Sequence, residues 1–308
     1  MKILITGPTS FSGSYFIEAL CDAGHEVVTT FTRPLQTYTG IRQVRAQKAM
    51  HGTTFYEGVE FGDERFLALL ERESFDVFCH HGAWTRDYNS MEFDFQSAYA
   101  NNTLSMGKVC QLLAAKGCRK VIVSGSIFEE GELFSPYGLS KRLTTQTIEF
   151  YGKYCGMHVS KFVIPNPFGA LDNPKLIDYI CREWFAGKSP YIRTPDYIRD
   201  NIPVDLLALG FAYWVDESPD VPGHSSFYPS GYTSTMADFV GKVATEMQAR
   251  LDLKCGYELG VQTDFSQPMV LLNRTPLQDL FVGWNEKRFW DDLAQHQITL
   301  QSWRSEQS

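Results

Sequence analysis

The stretch KILITGPTSFSGSYFIEAL, Lys2 to Leu20, decides how the rest of the chain is read. A short β-branched apolar run leads into a tight glycine-containing turn, and an amphipathic segment follows. Strand, turn and helix in that order point backbone N–H groups and the positive end of a helix dipole at one place, where a phosphate can sit. Gly7 permits the tight turn and Gly13 permits close packing of helix on sheet. Ser10 stands in the middle, where backbone would approach a pyrophosphate most closely, and its hydroxyl is itself a candidate donor. Gly7, Ser10, Phe11, Ser12 and Gly13 are therefore the expected phosphate-facing residues. Glycine spacing of this kind is equally compatible with a βαβ turn that binds nothing.

Beyond the turn, apolar runs alternate with longer amphipathic stretches: HEVVTTFT, DERFLALLERE, FDVFCHHGA, NTLSMGKVCQLLAAKG, KVIVSGS, SPYGLSKRLTTQTIEFYGKYCG and HVSKFVIPN. This β-α rhythm predicts an α/β fold, a Rossmann-type doubly wound parallel sheet. Its continuously apolar strands suit a sheet covered on both faces. After Asn166 prolines interrupt the pattern, and KLIDYICREWFAG and TMADFVGKVATEMQARL read as helices. The sequence thus predicts a nucleotide-binding domain over 1–165. It predicts a smaller mixed, mainly substrate-binding C-terminal domain over 166–308, from which segments can return to the first sheet. The polar tail after Trp303 reads as frayed.

Composition narrows the function classes. The net charge of -8 gives no electrostatic support for a nucleic-acid partner. No run approaches the roughly 20 apolar residues of a membrane span. The seven cysteines include no CxxC pair, which suits reduced thiols and a cytoplasmic protein. His80 and His81 are neighbours on a strand and so point to opposite faces; no metal site is expected.

Two further features carry chemistry. The second strand ends in TTFTRP with no acidic residue to take ribose hydroxyls; Thr32 and Arg33 stand there instead. An arginine at this position suits a 2′-phosphate and hence NADP(H), with NAD(H) the other possibility. Later, VIVSGS sets Ser124 and Ser126 at a strand end, and SPYGLSK sets Tyr137 and Lys141 one helical turn apart.

With these residues in this order the chain resembles the extended short-chain dehydrogenase/reductase family, in its nucleotide-sugar epimerase, dehydratase and reductase branch. TGPTSFSG stands for the family's TGxxGxxG, DVFCHHGA for its DVVxHxAA, and IPNPFG for its RPxNxYG. YIRDNIPVDLLA stands for RDFxHVDDxA, and Asn102 for the asparagine of its NxxGT helix start. The resemblance implies Tyr137 as general acid or base, Lys141 as the ammonium favouring its phenolate and binding the nicotinamide ribose, and Ser126 as hydrogen-bond partner of the substrate oxygen. It implies that His81, Gly82, Ala83, Asn102, Ser124, Ile164 and Asn166 line the cofactor, and that Asn166 and Arg199 contact substrate.

Departures from the pattern narrow the reaction. Ile127 and Phe128 replace the Asp-Glu pair with which the family's 4,6-dehydratases run elimination. Glu129 and Glu130 occupy the place of the VY in the usual VYG. Val163 replaces an arginine, and TDFSQP replaces a late arginine stretch, leaving Arg193 or Arg274 as possible phosphate clamps. Through Arg33, the expectation is NADPH-dependent reduction of a 4-keto deoxyhexose nucleotide. The alternatives are an NAD-dependent nucleotide-sugar 4-epimerase and a non-catalytic cofactor-binding member. A homodimer through the Asn102 and Tyr/Lys helices is also implied, with Leu112, Leu113, Ile148 and Tyr151 available to it.

Overall fold

The structure is a computed structural model that describes residues 1–88 and 90–306. It divides into two compact units, Met1–Ile164 with Ala208–Pro229, and Pro165–Leu207 with Ser230 onward.

The first unit is built on seven parallel strands: β1 (Lys2–Thr6), β2 (Glu26–Phe31), β3 (Thr54–Glu57), β4 (Val77–His80), β5 (Lys120–Ser126), β6 (His158–Ile164) and β7 (Gly223–Phe227). Their spatial order is β7-β6-β5-β4-β1-β2-β3, and every pairing is parallel. The order reverses between β1 and β4, which makes the crevice at their carboxyl ends the expected ligand position. Seven helices accompany the strands: α1 (Phe11–Asp22), α2 (Gly40–Met50), α3 (Glu64–Arg72), α4 (Phe95–Thr103), α5 (Met106–Ala115), α6 (Pro136–Tyr154) and, from Ala208 onward, α7 (Val204–Glu217). Side chains such as Leu4, Phe66, Phe78, Val109, Val121 and Ile148 form one fully buried cluster. On the other side, Phe16 of α1 stacks on Phe211, with ring centroids 4.1 Å apart.

Four elements depart from the sequence reading. α2 and β3 were not anticipated, because α2 buries only Arg45, Ala46 and Ala49 and so lacks an apolar stripe. The helix expected from Asn102 is two helices, α4 and α5, with Ser105 between them at φ 52°. Gly62 lies against the break, where a Cβ would stand 2.0 Å from the Leu104 carbonyl. Residues 208–229, a later segment of the kind left free to return to the first sheet, belong to the first unit and supply β7. The tail is helical through Glu306 rather than frayed from Trp303.

In the second unit the strand Ile198–Pro203 pairs antiparallel with Tyr232–Thr235 and parallel with Asn166–Phe168 and Val270–Leu271. Its core gathers Phe168, Trp184, Phe239 and Trp290, and the Trp184 indole N–H donates to the Gly256 carbonyl at 2.7 Å.

All seven cysteine thiols are unpaired. Among the described residues no helix is long and apolar enough to cross a membrane, and no cluster of His, Cys, Asp or Glu is arranged to hold a metal ion.

Candidate active site

At the end of β1 the backbone turns through Gly7, at φ 79°, a conformation costly for any residue with a Cβ. A side chain on Gly13 would meet the Gly7 carbonyl at 2.2 Å, so α1 lies directly on the turn. Ser10 is the N-cap: its Oγ accepts from Gly13 N at 3.0 Å and donates to the Gly7 carbonyl at 2.8 Å. The sequence offered this hydroxyl as a phosphate donor; the structure directs its proton inward instead. The amides of Phe11 and Ser12, in the first helical turn, have no intrahelical acceptor and keep the turn suited to an anion. That donor set, on a turn where the glycines remove obstructing side chains, fits a dinucleotide.

His81, just beyond β4, closes the turn from below. With the Ser10 proton on Gly7, Ser10 Oγ accepts from His81 Nε2 at 2.9 Å, and Ser12 Oγ lies 3.2 Å from the same nitrogen. This assigns the imidazole proton to Nε2 and leaves Nδ1 to accept from Ser124 Oγ at 2.7 Å. Burial first, then the Lys141 charge, push His81 down to about 3. His80 points the other way and bonds the Asn102 carbonyl at 2.8 Å; burial and Lys141 lower it to about 4. Asn102 sits in the last turn of α4, not at a helix start, and its Oδ1 accepts from Trp84 N at 2.9 Å. It thereby holds the Gly82–Ala83 segment, while Gly82 N donates to Thr6 Oγ1.

The third group stands at the end of β5. Ser126 is buried and caps a short 3₁₀ turn over Ile127–Glu129. Lys141 of α6 is buried and donates to the Ser124 carbonyl at 2.7 Å. Burial pulls its amine below the ordinary value, an effect Glu129 opposes and Lys161 reinforces. Tyr137 packs among the rings of Tyr88, Phe93 and Phe128. Burial, then the charge of Glu129, raise its phenol well above the ordinary tyrosine value, while a hydrogen bond to Ser126 acts the other way. The structure thus brings together Gly7, Ser10, Ser12, Gly13, His81, Ser124, Ser126, Tyr137 and Lys141 within the first unit.

Other expected residues lie elsewhere. Thr32 and Arg33 are exposed beyond β2, where the Arg33 guanidinium stacks over Tyr38 at 4.8 Å. Ile164 ends β6. Asn166 and Arg199 belong to the second unit. There the Asn166 amide donates to Asn201 Oδ1. Arg199 is buried, stacks on Tyr197 and donates to the carbonyls of Ile198, Pro268 and Met269. The second unit also contains a cleft of about 370 Å³ lined by Leu176, Tyr191, Ile192, Arg193, Thr194 and Met236. Of the residues available for a dimer contact, Leu113 and Ile148 are core; the exposed aromatics of α6 are Phe150 and Tyr154.

Sequence reasoning missed the aromatic surround of Tyr137, the bonding role of His81 and the burial of Glu129. A signal for the last was present: Ser126-x-x-Glu129 is a capping-box pattern.

The chain is 25% identical over 280 residues to UDP-glucose 4-epimerase of Neisseria meningitidis serogroup C, covering 78% of this chain and 80% of that protein. Among solved structures it resembles UDP-glucuronic acid 4-epimerase from Bacillus cereus, in complex with UDP-glucuronic acid and NAD. The TM-score is 0.75 at 16% identity, over 97% of this chain and 100% of that one. It also resembles DesIV, the dTDP-glucose 4,6-dehydratase of Streptomyces venezuelae, at TM-score 0.72 and 15% identity over 98% of each chain. The family described as NAD dependent epimerase/dehydratase matches residues 3–205. Carrying this family's match across most of its length on a seven-stranded parallel sheet, the chain belongs to the NAD dependent epimerase/dehydratase family, an extended short-chain dehydrogenase/reductase and an NAD(P)-dependent enzyme.

Proposed function

We propose that this protein is an NAD-dependent 4-epimerase of a nucleotide sugar, with a uridine diphosphate sugar as the first candidate. The observation that carries the proposal is the convergence of Ser126, Tyr137 and Lys141 at the end of β5, in a chain whose curated relatives are named UDP-glucose 4-epimerases. Gly7, Gly13, the Phe11 and Ser12 amides and Lys141 would hold the dinucleotide. When bound, it supplies a hydride acceptor and donor for the sugar C4 carbon. Tyr137 takes the proton of the C4 hydroxyl as that carbon is oxidised and returns it after the sugar has presented its other face. The Lys141 ammonium, anchored on Ser124, favours the phenolate during that exchange. Ser126 hydrogen-bonds the same oxygen and fixes its distance from the phenol. Asn166, Arg199 and the Tyr191–Arg193 cleft are the proposed nucleotide contacts, Arg193 supplying positive charge for a diphosphate. Ile127 and Phe128 carry no proton to move, which argues against 4,6-dehydration. A homodimer through α4 and α6, with Phe150 and Tyr154 covered, accompanies the proposal; a light-scattering mass tests it.

One observation favours a second reading, NADPH-dependent reduction of a 4-keto sugar nucleotide: Arg33 follows a β2 whose own end carries no acidic residue, and the neighbouring Glu57 carboxylate of β3 is engaged by Leu35 N at 2.6 Å. The two separate in one experiment. Protein is purified without added cofactor, its nucleotide released and identified, and UDP-hexoses are offered while proton NMR follows C4 configuration. Retained NAD with interconversion of epimers is expected. Absence of epimerisation, together with NADPH oxidation on a 4-keto sugar nucleotide, would establish the second reading in its place.

A further inference from the structure

Glu129 carries a buried charge that the proposed reaction does not use. Its side chain is fully shielded from solvent. Oε1 accepts from Ser126 N at 2.7 Å, and Oε2 accepts from Thr145 Oγ1 of α6 at 3.1 Å. The Ser126 hydroxyl in turn accepts from Phe128 N at 3.2 Å, which completes a reciprocal capping box around the 3₁₀ turn. Gly125 makes the arrangement possible, since a Cβ there would stand 2.5 Å from Glu129 Oε1 and 3.0 Å from Lys161 Cγ. Arg142 of α6 fastens the turn from outside by donating to the carbonyls of Glu129 and Gly131.

The charged and titratable groups around this carboxylate are few. Lys161 on β6 lies 3.9 Å from Glu129 but 2.5 Å from Glu130. Glu130 also accepts from the Tyr228 hydroxyl at 3.3 Å. From α6, Tyr137 and Lys141 feel the Glu129 charge. A contact of 3.9 Å is too long for a hydrogen bond, so the near partner of Lys161 is Glu130. The Glu129 charge, not hydrogen-bonded to Lys161, acts through space on that ammonium as well as on the α6 pair.

We propose that Glu129 is a positioning residue for the Ser126–Tyr137–Lys141 group: its carboxylate fixes Ser126 through the backbone N–H, and its charge balances the buried Lys141 ammonium. The inference rests on the reading of those three residues as the acid–base machinery. The Glu129 charge opposes the burial that lowers Lys141 and adds to the burial that raises Tyr137. Removing it therefore lowers both groups. The two limbs of a bell-shaped profile of kcat report this coupled pair, so removal of the Glu129 charge moves both limbs in the same direction.

The test compares Glu129→Gln, which keeps an acceptor for Ser126 N but removes the charge, with Glu129→Asp, which keeps the charge but shortens the reach. Both limbs of the Glu129→Gln profile are expected to move to lower pH by roughly one unit. Glu129→Asp is expected to lose turnover with the limbs in place. The Tyr137 phenol is also titrated directly, by tyrosinate absorbance of each protein against its Tyr137→Phe counterpart, which needs no substrate. A phenol in Glu129→Gln that titrates with the wild type overturns the proposal, as does a limb shift in Glu129→Asp equal to that of Glu129→Gln. Absence of turnover on nucleotide sugars by the wild type defeats the functional reading alone, because the phenol titration still reports on Glu129.

Discussion

Two serine-capped turns stand at the carboxyl ends of parallel strands in the first unit, and they differ in charge. After β1, Ser10 caps α1 and leans on His81, which burial keeps neutral. After β5, Ser126 caps a 3₁₀ turn and leans on Glu129, with Lys141 and Lys161 close by. The first turn is a network of neutral hydrogen bonds that leaves an approaching anion to the helix dipole and the Phe11 and Ser12 amides. The second carries fixed charges in a poorly solvated setting, where they act strongly on a neighbouring phenol. His81 and Ser124 join the two, since the imidazole bonds the Ser124 hydroxyl while Lys141 bonds the Ser124 carbonyl. One turn is built to bind and the other to move protons, and substitutions on either side should separate those effects.

The largest effect is expected at the charged turn. Tyr137→Phe removes the phenol that Ser126 hydrogen-bonds there, and turnover should fall by about 10²–10⁴, the worth of a positioned acid–base group. The dinucleotide-induced rise in melting temperature should persist, because the β1 turn is untouched. Retained turnover would show that chemistry does not depend on this turn.

At the neutral turn the sharpest change is Gly13→Ala. The new methyl would sit 2.2 Å from the Gly7 carbonyl and 2.6 Å from Ser10 Oγ. Neither the backbone nor the capping hydroxyl can move without breaking the cap, so a loss of about 1–3 kcal/mol in stability is expected. Chemical denaturation measures it, and a parallel thermal-shift titration should show weakened dinucleotide binding.

The two turns also differ in how far the sequence disclosed them. Gly7, Gly13, Ser126, Tyr137 and Lys141 were legible because each satisfies a local rule: a positive φ, a close approach, a strand end, a one-turn spacing. The parallel α/β sheet followed from the β-α rhythm for the same reason. His81 read as a lining residue, yet its bonds to Ser10 and Ser124 join positions 71 and 43 residues away, which no local pattern encodes. Glu129 and Glu130 were visible only as replacements of the usual VY, because the setting of these carboxylates depends on Lys161 and Thr145, brought in by β6 and α6. Gly62 illustrates the same limit: it packs against the α4–α5 break at Leu104, 42 residues away in sequence. α2 was missed because its buried face includes an arginine.

The neutrality of the first turn makes a pH prediction. His80 and His81 titrate near 4 and 3 in the folded protein, against an unfolded value near 6.5. Below that unfolded value the unfolded chain binds more protons than the folded one, so stability falls as pH falls. Their contribution is complete above about pH 6.5 and is lost progressively toward pH 3–4. Urea midpoints measured across this range should decline on acidification, and His81→Gln should flatten part of the slope. An unchanged slope in that variant would mean that His81 takes up its proton within the fold, and the contrast with the charged turn would disappear.

The smallest effect belongs to Arg33, which lies outside both turns. Its guanidinium is exposed and rests on Tyr38, whose hydroxyl accepts from Arg33 N at 3.3 Å. Nothing in that geometry requires a 2′-phosphate, because the aromatic ring already gives the cation a partner. If NAD is the working cofactor, Arg33→Ala should leave its affinity nearly unchanged. If NADP(H) is, the substitution should weaken it by about fivefold, in keeping with the roughly 1 kcal/mol of an exposed charge contact. Isothermal titration of both cofactors into wild type and variant reads the difference. A selective loss for NADP(H) would extend electrostatic recognition beyond the charged turn to the far edge of the sheet, and would favour reduction over epimerisation.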